Sequence, residues 1–175
     1  MGLESVGVVA WVVAAAALSA PPAVKPVATL DGFVLQTLPR GFALESEPEI
    51  YGTPEHKEKS GTVFDYIDGG GQVYIAHGLR KLLHVRMRDA EQRVLTLDVF
   101  DLASPANAAA ALADEGICAP GSKPVDVGVP ARVHHYPPEY LLYLVKGRFL
   151  VYLAATDELA DVVRALARQA AAAIP

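Results

Sequence analysis

The segments LLHVRMR at residues 82–88 and RVLTLDVFDL at residues 93–102 lie close together in the chain, and both alternate apolar with polar residues. Such alternation is typical of β-strands that place one face on a core and keep the other face more polar. We therefore predict a β-hairpin over residues 82–102. The side chains on its apolar face are Leu83, Val85, Met87, Leu95, Leu97 and Val99.

The register of this hairpin follows from the same pattern. The two apolar sets share a face only if the connecting loop has an odd number of residues, for example Asp89-Ala90-Glu91. A slip of one residue would turn every side chain of one strand to the opposite face. In the predicted register the other face carries the polar set of His84, Arg86, Thr96 and Asp98.

The rest of the chain predicts helices and further antiparallel strands around this hairpin. Apolar residues at helical spacing predict a helix over residues 64–78, and the pair Ser104-Pro105 predicts the start of another. Gly147 predicts the turn of a second hairpin, whose strands are apolar enough to be covered on both faces. The remaining predictions are a mostly surface loop over 45–59, a helix over 106–115, an edge strand over 125–129, a strand over 131–136, hairpin strands over 141–145 and 149–155, and a closing helix over 157–173.

The order of these elements predicts the fold class. Helices alternate with hairpins and not with single strands, which argues against a doubly wound parallel sheet. We expect an α+β fold: a single domain with a mainly antiparallel sheet packed with two to three helices.

Composition and charge limit the classes of partner. The chain has 175 residues, of which 52% are hydrophobic and 20% charged, so it is far from a disordered composition. Its 15 Lys and Arg against 20 Asp and Glu give a net charge of -5, which leaves no positive surplus for phosphate groups. We expect no nucleic-acid partner. Cys118 is the only cysteine, so the chain has no internal disulfide.

The N-terminal segment has the pattern of an export signal. An unbroken apolar run covers residues 6–18 and is followed by small residues and two prolines. This run is shorter than a membrane span and has the length of a signal-peptide core. We predict a signal peptide over 1–23 with cleavage near 19–23, a tether over 24–29, and one domain over 30–175.

The predicted location is therefore periplasmic or secreted, with no membrane contact beyond the leader. An uncleaved N-terminal anchor is the alternative, because no Lys or Arg precedes the apolar run.

Four segments together resemble a family of exported bacterial proteins of unknown function, whose pattern reads roughly YIDGGAELYLAYGF followed by EIYDMGSPEDAFG. The segments in this chain are Leu38–Phe42, Glu47–Tyr51, Phe64–Tyr74 and Asp98–Pro105. The resemblance covers nearly all of the chain after the leader. It implies export and a single α+β domain, and it brings no reaction or ligand.

The chain departs from that family pattern at two places. Gly71-Gln72 replaces Ala-Glu, and Ala109 replaces an aromatic residue. A neutral amide cannot replace a carboxylate in acid–base or metal chemistry, so any role of the family's glutamate is in doubt here.

The glycine run at residues 69–71 and the tyrosines supply the candidate binding face. Glycines destabilise a helix by about 1 kcal/mol each relative to alanine, so close packing or a ligand must offset that cost. Six tyrosines can line a concave surface or fill ordinary half-buried positions. They are Tyr66, Tyr74, Tyr136, Tyr140, Tyr143 and Tyr152.

The leading functional hypothesis is a non-enzymatic domain of the cell envelope that binds a small molecule or an envelope protein. Its face lies around the glycine helix and the polar side of the 82–102 hairpin. The candidate binding residues are Tyr66, Asp68, Gly69, Gly70, Tyr74, His77, His84 and Arg86.

Two alternatives remain open at this point. One is an envelope hydrolase or other enzyme that uses Asp65 and Asp68 with His77 or His84 for acid–base chemistry. The other is a structural component of the envelope. The sequence predicts no metal site and no cofactor, because no motif for either is present.

Overall fold

The computed structural model describes residues 25–175, so the predicted signal peptide and its cleavage region lie outside the described residues. The strands are β1 (Ala28–Leu30), β2 (Phe33–Leu35), β3 (Phe42–Leu44), β4 (Glu49–Tyr51), β5 (Lys81–Asp89), β6 (Val94–Asp101), β7 (Lys123–Pro124), β8 (Ala131–Tyr136), β9 (Glu139–Lys146) and β10 (Phe149–Thr156). The α-helices are α1 (Val63–Ile67), α2 (Gly71–Ala76), α3 (Pro105–Ala113) and α4 (Ala160–Ala172). Short 3-10 turns at Asp68–Gly70 and Asp157–Leu159 precede α2 and α4.

An antiparallel sheet of eight strands organises the domain. Its order is β3-β5-β6-β10-β9-β8-β7, and β4 pairs with β5 further along the edge that β3 occupies. Strands β1 and β2 form a separate small hairpin. Because α1 and α2 are two parts of one interrupted segment, three helical segments accompany the sheet. The α+β prediction is confirmed.

The hairpin that the alternation predicted is β5–β6, with the predicted register. Leu83 pairs with Val99 and Val85 with Leu97, so the apolar sets share one face. The backbone N–H of Asp89 donates to the carbonyl of Arg93 over 3.2 Å, which leaves a loop of three residues, Ala90-Glu91-Gln92. The odd loop length is confirmed, although the loop begins one residue later than the example given above.

The two faces of the sheet are covered by different elements. Helix α4 and the β1–β2 hairpin lie on the face that holds Leu83, Val99 and Val151. The α1–α2 segment and α3 lie on the face that holds Leu82 and Phe100. The central strands β9 and β10 are therefore covered on both faces, as their continuous apolar character predicts.

The prediction of one continuous helix over residues 64–78 is wrong. The helical segment starts at Val63, after a capping box in which the Asp65 carboxylate accepts hydrogen bonds from the N–H and the hydroxyl of Thr62, over 2.7 and 3.0 Å. It breaks at Asp68, whose φ of 55° and ψ of -140° no right-handed helix accommodates. A 3-10 turn follows, and Gly78 with φ of 76° ends the segment, as expected for a C-terminal glycine.

The predicted edge strand over residues 125–129 is also wrong. The edge strand is β7, two residues earlier in the chain, which pairs with β8. Gly128 has φ of 84°, which is incompatible with an extended strand, and Val127 turns into the core with an exposure of 3%.

Three other boundaries differ from the prediction. Helix α3 starts at the Ser104 cap as predicted but ends at Ala113, because Asp114 is extended and its carboxylate accepts from the N–H of Gly116 over 2.8 Å. The polar loop over 45–59 contains β4, through which Tyr51 is buried. The predicted tether already contains the first residues of β1, since that strand begins at Ala28. Within residues 25–175 none of the helices combines the length and hydrophobicity of a membrane span.

Candidate functional site

A row of polar side chains crosses the sheet beneath the α1–α2 segment. The register places His84 of β5 beside Asp98 of β6, Asp98 beside Tyr152 of β10, and Tyr152 beside Tyr143 of β9. Since directly paired residues point to the same face, these side chains form one line on the helix-covered side. The prediction that His84 and Asp98 share a face is confirmed.

Asp98 is the centre of this row and is almost completely buried, with an exposure of 3%. Its Oδ1 lies 2.7 Å from Nδ1 of His84, and its Oδ2 accepts a hydrogen bond from the Tyr66 hydroxyl over 3.0 Å. The Tyr66 ring lies on the imidazole of His84, with 4.4 Å between ring centroids. Burial raises the pKa of the Asp98 carboxyl, and the hydrogen bond and charge interaction with His84, together with the hydrogen bond from Tyr66, partly oppose that rise.

A cavity of about 340 Å³ opens between the α1–α2 segment and this row. Asp98 forms part of its wall, and most of the remaining wall is aromatic. The lining residues are Tyr66, Ile67, Tyr74, Asp98, Phe100, Ile117, Tyr143 and Tyr152. We call this space the tyrosine cavity.

The aromatic wall is held together by ring contacts. Tyr74 of α2 stacks on Phe100 of β6, with 4.1 Å between centroids and 4° between planes. Tyr143 and Tyr152 meet at 5.2 Å with a tilt of 38°. The first contact ties the helical cover to the sheet, and the second joins two neighbouring strands, so packing defines the positions of these rings.

The tyrosine hydroxyls of this cavity stay protonated at neutral pH. Burial raises the pKa of Tyr66, Tyr74 and Tyr152 above the ordinary value of 10.0, and the Asp98 charge adds to the rise. Among the described residues the hydroxyls of Tyr74 and Tyr152 have no hydrogen-bond partner, and neither oxygen is buried from solvent. They are therefore free to donate to, or accept from, a bound molecule.

Three of the eight candidate binding residues belong to this site. Tyr66 and Tyr74 line the cavity, and His84 supports Asp98 from outside the lining. The cavity lies between the α1–α2 segment and strands β6, β9 and β10, so it overlaps the predicted face only in part.

The other five candidates lie elsewhere. His77 pairs with Asp114, with Nε2 to Oδ2 at 2.7 Å. Arg86 is exposed and pairs with Glu45, with Nε to Oε2 at 2.6 Å. The last three, Asp68, Gly69 and Gly70, are exposed and do not contribute to the cavity wall.

Two glycines of the run pack closely, and only one of them, Gly70, was a candidate. A Cβ on Gly70 would meet Cγ2 of Ile67 at 3.0 Å, and a Cβ on Gly71 would meet Cγ1 of Val63 at 3.0 Å, whereas a Cβ on Gly69 would meet no atom within 4 Å. Tight packing therefore accounts for Gly70 and Gly71 but not for Gly69.

The acid–base set of the enzyme alternative does not assemble. Asp65 serves the capping box, and each histidine pairs with an aspartate outside that set. Among residues 25–175 no group of three or more His, Cys, Asp and Glu side chains is arranged to hold a metal ion. Burial raises the pKa of the Cys118 thiol to about 11, so this buried cysteine is not a thiolate at neutral pH.

Four residues of the cavity carried no site prediction of their own: Ile67, Phe100, Ile117 and Asp98. Asp98 had been placed on the polar face without a role, and Tyr143 and Tyr152 had appeared only in the general tyrosine set. The available signal was an aspartate in the middle of a strand, between the apolar residues Leu97 and Val99, because an unpaired buried carboxylate is costly.

Comparisons with protein-family models, with curated proteins and with solved structures found no match to this chain. The resemblance to the exported family therefore stays a prediction, and the geometry of the tyrosine cavity carries the functional argument.

Proposed function

We propose that this chain is an exported, non-enzymatic domain that binds a small molecule in the tyrosine cavity. The observation that carries the proposal is a buried carboxylate, Asp98, in the wall of a cavity lined by four tyrosines. Concave sites with mostly apolar walls and a few fixed polar groups are typical of small-molecule binding.

Asp98 is difficult to explain by stability alone. Moving an ionised carboxylate out of water costs several kcal/mol, and replacing a buried ion pair with apolar groups is often neutral or stabilising. The next residue, Val99, is apolar and fully buried on the opposite face, as expected for a core residue. A polar group that is retained beside an open cavity supports a role in recognition.

The hydrogen-bond arrangement favours binding over catalysis. His84 and Tyr66 already engage the Asp98 oxygens, so the carboxylate is held in one orientation. The imidazole of His84 lies outside the cavity lining, where it does not reach a bound molecule as a general base. Preorganised groups of this kind supply specificity because little side-chain entropy is lost on binding.

Ligand-detected NMR on the full chain tests the proposal with four probes: indole, glucose, benzoate and choline. We expect at least one probe to bind. Its signal should disappear in Ile67→Trp, because Ile67 lines the cavity and a larger side chain fills it. Leu44→Trp is the matched control, since Leu44 is 36% exposed on β3 and does not line the cavity.

Thermal unfolding of both tryptophan variants verifies that they fold. Binding that survives Ile67→Trp, or no binding by any of the four probes to the wild-type chain, would contradict the proposal.

The exported location has its own test. Mass spectrometry of the protein recovered from a bacterial periplasm or culture medium should give an N-terminus created by cleavage near residues 19–23, as a removable signal predicts. An intact N-terminus in the cytosolic fraction would contradict export, and an intact N-terminus in the membrane fraction would support the anchored alternative.

A further inference from the structure

We infer that the tyrosine cavity selects an organic cation, specifically an alkylated ammonium group. This inference rests on the proposed function, since it names the class of molecule that the same cavity takes. Its basis is the combination of electron-rich rings around the cavity with a carboxylate in the wall.

The carboxylate presents negative charge to the cavity. Asp98 lines the wall, whereas its partner His84 lies behind it and outside the lining. When Asp98 is ionised, its negative charge lies in the cavity wall and favours a cation there, and the low dielectric of the surroundings strengthens the attraction.

The rings add a second attraction for the same kind of ligand. The wall contains four tyrosines and Phe100. The faces of aromatic rings carry negative potential, and enclosed aromatic sites are the usual recognition elements for quaternary ammonium groups. Each such contact becomes stronger when water is excluded from it.

None of the residues that line the cavity has a positively charged side chain that would pair with Asp98 in place of a ligand. The nearest cation along the sheet row is Arg132, which pairs with Tyr143 in the register. Its guanidinium donates to the carbonyl of Ser122 over 2.7 Å, and the side chain lines a different groove together with α3. The cavity is therefore open to an added positive charge.

The hydrogen-bond inventory favours an alkylated ammonium over a primary one. A primary ammonium needs about three acceptors to replace its hydration. Each oxygen of Asp98 is already engaged by one close partner, His84 or Tyr66, so Asp98 has fewer free acceptor positions to offer beside the hydroxyls of Tyr74 and Tyr152. A trimethylammonium group needs no acceptor, and it gains from the rings and from the carboxylate charge.

Isothermal titration calorimetry on the full chain separates charge from shape. The probes are choline, tetramethylammonium and 3,3-dimethyl-1-butanol, in which carbon replaces the choline nitrogen and the charge is absent. We expect choline to bind at least tenfold more tightly than the neutral isostere. Glycine betaine, which adds a carboxylate to the same head group, should bind more weakly than choline because Asp98 repels it.

Variants locate the effect in the cavity. Asp98→Asn should weaken choline binding at least fivefold and leave binding of the neutral alcohol nearly unchanged. Tyr152→Leu should weaken choline more than Tyr152→Phe does, because only the leucine removes the ring. Leu44→Trp is the control on the distant β3 edge and should bind choline as the wild type does.

The outcomes distinguish this inference from the proposed function. Equal affinity for choline and its neutral isostere would overturn the cation inference, and so would binding of indole, glucose or benzoate to the cavity without choline. The proposed function would stand in both cases. Failure of every probe would overturn both. The comparison of choline with its isostere uses only the wild-type chain, so it holds even if a variant fails to fold.

Discussion

The two faces of the central sheet are built from the same strands but hold different chemistry. One face places Leu83, Val99 and Val151 in a fully buried apolar row under α4. On the other face, one residue away along the same strands, the equivalent row includes His84 and Asp98. Strand alternation lets a chain keep one face for stability while the other holds a polar site.

The helices that cover the two faces of the sheet also differ. Helix α4 runs without interruption over 13 residues and buries a regular stripe that includes Val163, Leu166 and Ala170. The cover of the polar face is broken at Asp68 and leaves the tyrosine cavity beneath it. The apolar face is closed by a continuous helix, whereas the polar face has a cavity beneath a short interrupted one.

The largest effect should come from breaking the polar row at His84. In His84→Leu the Asp98 carboxyl stays buried without its imidazole partner, and we expect a loss of about 3 kcal/mol in the free energy of unfolding. The double variant His84→Leu/Asp98→Leu turns the polar row into an apolar one and should recover most of that loss.

Urea denaturation of His84→Leu, Asp98→Leu and the double variant at neutral pH measures this difference. The loss of stability in the double variant could instead equal the sum of the losses in the two single variants. That result would contradict the description of His84 and Asp98 as a coupled pair, because the two residues would then act independently.

A smaller effect should appear in the pH dependence of stability. Burial raises the pKa of Asp98 above its ordinary value of 3.8, so the folded state binds this proton more tightly than the unfolded chain does. The contribution of Asp98 to stability is therefore greatest below pH 3.8 and falls as the pH rises through the folded-state pKa. The stability cost of Asp98→Asn should shrink over that range.

Asp114 is the matched control outside the polar row. Its hydrogen bond with His77 lowers its pKa below the ordinary 3.8, so its contribution is present above that pH and is lost as the pH falls through the folded-state pKa. Denaturation of Asp98→Asn and Asp114→Asn across the acid range should therefore give pH dependences of opposite sign. Dependences of the same sign would contradict the assignment of burial as the dominant cause at Asp98.

The smallest effect concerns the interrupted cover. Asp68 has a backbone conformation that glycine adopts far more readily, and Asp68→Gly should stabilise the domain by about 1 kcal/mol. Gly71→Ala should destabilise it, since the added methyl meets Val63. Thermal unfolding measures both changes; a destabilised Asp68→Gly variant would mean that the Asp68 side chain holds the break in place.

The sheet could be predicted from sequence more fully than its helical cover could. The alternation around Leu83 and Leu97 has only one register that buries the apolar set, so the hairpin followed directly. The residues after Phe64 have helical spacing that does not distinguish an unbroken helix from two short helices joined by a 3-10 turn. The break depends on the φ of Asp68, and the spacing of apolar side chains carries no information about that angle.

Prediction of the site was limited by the distance along the chain between its parts. Tyr66 and Tyr74 lie in the glycine segment that drew attention, but Tyr143 and Tyr152 reach the cavity only through the pairing of β9 and β10 with β6. The order of strands in a sheet is a long-range property that local patterns do not contain. Asp98 was visible as a polar residue in a strand, and its partners depended on that order.

The two edges of the sheet have a consequence for how the protein behaves at high concentration. One edge ends in β7, which is only two residues long and contains Pro124, a residue without a backbone N–H to offer a neighbour. The opposite edge is divided between the three-residue strands β3 and β4. Neither presents a long row of unsatisfied peptide groups, so the sheet is poorly suited to recruit strands from other molecules. For the exported location proposed above, such resistance matters because no cytoplasmic chaperone can refold the protein there.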